Sequence, residues 1–239
     1  PLASQVMKIL AALAILFHCF LGQAQAIDHS LWDDLLQEHV TSEGQVDYTG
    51  FRQDYAILAQ YVDHLERLLP QVQKSDKNEQ LAFWINAYNA CTVRLICDHM
   101  PISSIKDISR PWKKVVMTAA DRSYTLDDIE HNILRKMNEP RMHFAINCAS
   151  MSCPQLANQA YLGRKIDRQL ETAAQGFLRD TSKNIIAPSQ IFLSKIFLWF
   201  RTDFGTTTDL IQMINQHTGS SVPDNVSITY LSYDWALNN

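Results

Sequence analysis

Two sulfurs and an imidazole fall within one short stretch, Arg141-Met-His-Phe-Ala-Ile-Asn-Cys-Ala-Ser-Met-Ser-Cys-Pro154. Its first half, His143 to Ile146, is an apolar run with a histidine at its edge and reads as a short buried strand. Its second half, from Asn147 to Pro154, is rich in small polar residues and ends in proline, which is how strands open into loops. Three kinds of chemistry suit these residue types. In a cysteine-dependent hydrolase or acyltransferase, Cys148 at the strand end would be the nucleophile. His131 or His143 would be the base, and Glu130, Asn86 or Asn89 would orient it. Because His131 comes from another element, it is the expected partner of Cys148, whereas His143 stands only five residues away along the chain. A second reading is a disulfide between Cys148 and Cys153, whose four intervening residues can close a loop. It describes a non-enzymatic structural or binding domain. The third is zinc, with His131, His143, Cys148 and Cys153 as ligands, although His-x4-Cys-x4-Cys is no standard finger spacing. The first two make opposite demands on one sulfur, since a bonded Cys148 cannot attack.

The compartment bears on that choice. Met7-Lys8, the apolar run Ile9 to Leu21 and Ala24-Gln-Ala26 read as a signal peptide over residues 1–26, with extra residues before Met7. Phe17-His18 ahead of Cys19 are too large for a lipobox. The expectation is a periplasmic or secreted protein of bacterial type, with no stable membrane span after cleavage. Without Lys8, the chain has 20 basic and 25 acidic residues, a formal charge of −5 with histidines neutral. No basic stripe is present, which argues against nucleic acid. An unknown small molecule or peptide is the expected substrate, and no cofactor is called for. Cys91, Cys97, Cys148 and Cys153 remain after cleavage, and an even number in an exported chain favours disulfides.

The elements that must position these residues follow from periodicity. Residues 27–239 read as one globular domain of α+β class, mostly helical around a central buried helix, with a small antiparallel or mixed sheet. The central helix is Asn78 to Met100, apolar on nearly all sides and ended by Pro101. Asn86 and Asn89 share a face there, either fixing backbone or lining a site. Cys91 and Cys97 point to different faces and read as core thiols. Amphipathic helices are expected at Ser30–Val40, at Tyr55–Leu69 with Pro70 as its end, and at Lys165–Arg179. Leu126 to Met137 reads as a helix capped by Thr125, with Glu130 and His131 side by side in its middle. Hairpins are expected at Val115–Thr118 with Ser123–Thr125, and at Asn184–Ala187 with Gln190–Leu193. An aromatic-rich helix at Lys195–Phe204, a helix at Asp209–His217 and a strand at Val226–Leu231 follow. Trp84, Tyr88, Trp112 and Trp199 are candidates for the wall of a cleft.

Phe83-Trp-Ile-Asn-Ala-Tyr-Asn89, Leu126-Asp-Asp-Ile-Glu-His131, the stretch His143 to Pro154, Ser194-Lys-Ile-Phe-Leu-Trp-Phe200, Asp203-Phe-Gly205 and Tyr233-Asp-Trp-Ala-Leu-Asn238 occur in this order. In that combination the chain resembles the domain-of-unknown-function family 547, over about residues 78–238. Gln155 stands where that family often has a second proline. The resemblance implies relatives and brings no activity with it.

Overall fold

The computed structural model describes residues 26–239. The expected leader at 1–26 therefore lies, apart from Ala26, outside the described residues. Helices α1 (Ser30–His39), α2 (Tyr48–Gln53), α3 (Tyr55–Val72) and α4 (Lys77–His99) come first. A hairpin of β1 (Val115–Ala119) and β2 (Arg122–Thr125) follows, and then tight helical turns lead to Phe144. Helix α5 (Ile166–Arg179), strands β3 (Ile185–Ala187) and β4 (Gln190–Leu193), the short α6 (Ile196–Trp199), α7 (Thr207–Thr218) and β5 (Ser227–Tyr230) complete the order. This is an α+β fold with two small sheets. β1 and β2 pair antiparallel. In the other sheet β4 runs antiparallel to β3 and parallel to β5, from Gln190 opposite Ser227 to Leu193 opposite Tyr230.

Helix α4 is the centre, as its composition requires. The Asp76 carboxylate accepts the Glu79 N–H at 2.9 Å, which caps the first turn and suits the positive end of the dipole. From Leu81 to Val93 every residue is buried, so no polar face is left to show water. Fully burying each large apolar side chain contributes about 1.5–3 kcal/mol, and Phe83, Ile85 and Tyr88 are all at most 1% exposed. Helices α1, α2 and α3, the β1–β2 hairpin and the turns after β2 close around α4 in one core. A second core joins α5, β4, α6 and α7, with Phe144, Phe177, Phe197 and Phe204 packed ring on ring. The stretch from Arg141 to Pro154 crosses between them. Phe144 belongs to the second core, and Ala145, Ile146 and Ala149 belong to the first.

Three expectations are corrected. Helix α3 continues through Pro70 to Val72. Near a helix end, proline deletes only one donor, and the Gln73 N–H still closes on the Leu69 carbonyl at 3.0 Å. The buried strand expected before Cys148 is instead a 3-10 turn, Pro140–Phe144, followed by irregular chain. Glu139 accepts the Arg141 N–H at 3.2 Å, and Pro140 favours the first position of a turn. Asn89 then takes the Ala145 carbonyl and the Asn147 N–H, groups that a neighbouring strand would have paired. The helix after Thr125 has its expected cap, with the Thr125 hydroxyl accepting the Asp128 N–H at 3.0 Å. However, Asp128–Ile133 is π-helical and Leu134–Met137 is 3-10.

Candidate active site

A cavity of about 270 Å³ opens at the seam between the two cores. Its floor is built from α4 outward. Asn89 holds the Cys-bearing chain at two points, donating to the Ala145 carbonyl at 2.9 Å and accepting the Asn147 N–H at 2.8 Å. Asn147 in turn accepts the Ala149 N–H at 2.7 Å and donates to the Pro154 carbonyl at 2.7 Å, so one side chain ties both ends of the loop. Ala149 has φ of 62°, a left-handed turn that this clamp imposes on a non-glycine residue. Asn86 makes a matching clamp on Tyr161, through its N–H at 2.9 Å and its carbonyl at 2.8 Å. The tail after β5 lies against the loop, with the Met151 N–H on the Ala236 carbonyl at 2.8 Å and the Asp234 N–H on Ser152 Oγ at 2.8 Å.

Within this loop Cys148 and Cys153 are paired at disulfide distance, with Cα atoms 6.3 Å apart, inside the ordinary range. The two sulfurs have different surroundings. Both line the cavity, Cys148 partly exposed and Cys153 buried. Cys153 Sγ accepts the Cys148 N–H at 3.0 Å and the Tyr233 O–H at 3.2 Å. Ser150 Oγ donates to Tyr233 Oη at 3.1 Å.

The opposite wall carries the titratable groups. Arg135 donates to both oxygens of Asp203, at 2.6 and 2.7 Å, a bidentate pair. It also donates through Nη1 to His131 Nδ1 at 3.1 Å. His143 Nε2 lies 2.8 Å from Asp203 Oδ2, and its ring stacks on Phe200 with centroids 4.2 Å apart. The Arg135 hydrogen bonds hold Asp203 far below the usual carboxylate range. Burial pushes His143 down to about 4, outweighing the attraction of Asp203. Burial, and then the Arg135 charge, lowers His131 too. The guanidinium, not an imidazole, therefore balances the Asp203 charge at neutral pH. The partners assign the tautomers. A carboxylate can only accept, so His143 carries its proton on Nε2 and leaves the lone pair on Nδ1. A guanidinium can only donate, so neutral His131 has its lone pair occupied at Nδ1 and its proton on Nε2. Burial also raises Glu130 to about 7, although the Tyr88 O–H donates to it at 3.1 Å and opposes the rise.

The rim is aromatic. Trp112, Trp199, Tyr233 and Trp235 contact one another ring to ring, with centroids 4.6 to 5.8 Å apart. Most of the wall is apolar, as in small-molecule sites.

Residues 72–178 match the family described as "Protein of unknown function, DUF547". Over that segment, somewhat less than half of the chain, the sequence is similar to the DUF547 family. No curated protein and no solved structure matches it.

The DUF547 segment supplies Tyr88, Glu130, His131, His143, Cys148 and Cys153 to the cavity. The remaining wall, with Trp199, Phe200, Tyr233 and Trp235, lies beyond residue 178 in motifs that the wider resemblance includes. Of the residues expected at a site, Cys148, His131, His143 and Glu130 come together. Asn86 and Asn89 stand behind it, their amides occupied by backbone. Glu130 bonds Tyr88 and not a histidine. Tyr88, Trp112 and Trp199 line the cavity, but Trp84 packs in the core against Phe83 and Tyr124. Sequence reasoning assigns no role to Asp203, Arg135 or Tyr233. Only the Asp203-Phe-Gly205 and Tyr233-Asp-Trp235 motifs mark two of them. Cys91 and Cys97 are buried free thiols, as expected, and burial raises both to about 12. Among the described residues no three His, Cys, Asp or Glu side chains are grouped to hold a metal ion, so the zinc reading has no ligand set. Among them, too, no helix is long and apolar enough to cross a membrane.

Proposed function

We propose that the cavity is the active site of an exported cysteine-dependent hydrolase or acyltransferase. Cys148 is the nucleophile, His143 the base, and Asp203 the residue that orients it. One observation carries this reading. The Asp203-bound imidazole of His143, its Nδ1 lone pair uncommitted, lines the same cavity as Cys148 Sγ. His131 is the weaker base because Arg135 occupies its Nδ1.

In the reduced protein, His143 Nδ1 takes the Cys148 thiol proton and the thiolate attacks an acyl carbon. The proton then passes to the leaving alcohol or amine, and water or a second acceptor releases the acyl group from Cys148. The His131 Nε2–H is the donor left for the developing oxyanion, since the Cys148 N–H and the Tyr233 O–H are directed at Cys153 Sγ. An apolar aromatic wall and neutral imidazoles favour an uncharged acyl group.

The test is turnover of a panel of small activated esters, thioesters and anilides by reduced protein. Cys148→Ala is expected to abolish turnover, and His143→Gln to lower it by about 10²–10⁴-fold. Turnover by Cys148→Ala equal to that of the parent chain overturns the reading. The Cys148–Cys153 pairing favours a second one, a binding domain in which the bond only clasps the loop. Loss of stability in Cys148→Ala and Cys153→Ala alike, with no turnover by the parent chain, supports it.

A further inference from the structure

We propose that the Cys148–Cys153 bond is exchangeable, and that a low-molecular-weight thiol entering the cavity opens it and so switches the site on. The switching half rests on the hydrolase reading above. The exchange half does not.

The two sulfurs are unequal in the way exchange requires. Both cysteines line the cavity, but Cys148 is partly exposed and Cys153 is only 3% exposed, so an incoming thiolate reaches Cys148 first. Cys153 is buried and already accepts the Cys148 N–H at 3.0 Å and the Tyr233 O–H at 3.2 Å. These donors stabilise negative charge on Cys153, which makes it the leaving sulfur.

The loop does not depend on the bond. Asn147 ties Ala149 to Pro154, and the Cys153 N–H closes on the Ser150 carbonyl at 3.0 Å. Met151 and Ser152 are held by the tail after β5. A bridge between residues five apart also closes a short loop, where constraint of the unfolded chain contributes least. Opening it leaves both thiols in place.

The same bond blocks the proposed chemistry, because a bonded Cys148 has no thiolate to attack with.

The steps balance. A thiolate attacks Cys148 Sγ, the S–S bond breaks, and its electron pair leaves on Cys153, giving a mixed disulfide on Cys148. A second thiolate attacks the outer sulfur of that mixed disulfide and releases Cys148 as thiolate. Two small thiols become one small disulfide, and their two protons end on Cys148 and Cys153.

The experiment incubates oxidised full chain with glutathione in native buffer, quenches with an alkylating reagent and maps adducts by mass spectrometry. Circular dichroism follows the fold. Two new alkylated sites, at Cys148 and Cys153, are expected while the spectrum stays native. In Cys153→Ser, where Cys148 is a free thiol, glutathione disulfide replaces glutathione as the probe, and one glutathione is expected to transfer to Cys148 with release of the other as thiolate. In Cys148→Ser given the same glutathione disulfide, no adduct is expected on the buried Cys153. A bond that resists glutathione until the protein unfolds, or an adduct on Cys153, overturns the exchange. Ester turnover is then read on the same samples. Turnover by reduced parent chain and by untreated Cys153→Ser, with none by oxidised parent chain, is expected of the switch. Equal turnover by oxidised and reduced parent chain overturns the switch. Absence of turnover in every form overturns the hydrolase reading and the switch with it, while the adduct map decides the exchange separately.

Discussion

Glu130→Gln isolates the electrostatics of the site. Burial raises the Glu130 carboxyl from its ordinary 4.5 to about 7. A folded-state value above the unfolded one means that the folded protein binds the proton more tightly. Stability from this group is then present below pH 4.5 and is lost as pH rises to about 7. At about 1.4 kcal/mol per pH unit, the interval corresponds to about 3 kcal/mol. The glutamine introduced by the substitution stays neutral throughout, and its carbonyl can still accept the Tyr88 O–H. Urea unfolding of both proteins, without reductant, from about pH 4 to about pH 8, gives the two stability curves. His29 and His143 titrate in the same window with the opposite sense, but both occur in each protein. The difference curve therefore reports Glu130 alone. The variant is expected to gain about 3 kcal/mol on the parent chain between pH 4.5 and 7 and then hold level. A constant offset across that range would refute burial as the controlling influence on Glu130.

Three further outcomes are expected. Asn89→Leu leaves the Ala145 carbonyl and the Asn147 N–H buried without partners, at about 1–3 kcal/mol each; urea titration should show a loss of about 2–6 kcal/mol. Asp203→Asn removes the charge that Arg135 and His143 share, and should lower kcat/KM of the reduced enzyme by about 10²–10⁴-fold, with thermal unfolding as the control for folding. His29 is buried, bonds Tyr61 through Nδ1 at 2.7 Å, has no partner at Nε2, and is pushed by burial from 6.5 down to about 4. The parent chain should therefore lose about 3 kcal/mol of this residue's contribution as pH falls through that interval, and His29→Asn should flatten that limb in acid unfolding curves.

How far the sequence reaches differs from residue to residue. Helix α4 is legible because a helix without a polar face can only be central, and its Asn86 and Asn89 have to find buried partners. The β1–β2 hairpin is legible because Ala120 and Asp121 form a tight turn between β-prone residues, both with positive φ. The stretch before Cys148 is misread because four apolar residues show no period. The contest between strand and turn is settled by Asn89, more than fifty positions away. The choice between histidines is hidden for the same reason. It depends on which ring nitrogen is already bonded, and Arg135 meets Asp203 across 68 residues of chain. Apart from its place in the Asp203-Phe-Gly205 motif, nothing local distinguishes Asp203 from an exposed aspartate. The π turn at Asp128–Ile133 also lies beyond pattern reading, since its hydrogen bonds span only one residue more than those of an α-helix.

One measurement bears most directly on Cys148 as a nucleophile with His143 as its base. Reduced, folded protein is pulsed with iodoacetamide across a range of pH, and the alkylation rate of each cysteine is read by peptide mass spectrometry, in the parent chain and in His143→Gln. Cys148 should label fastest, well ahead of Cys153 and of the buried Cys91 and Cys97, and its rate should fall several-fold in His143→Gln. Labelling of Cys148 no faster than Cys153, or at a rate indifferent to His143, would contradict the assignment.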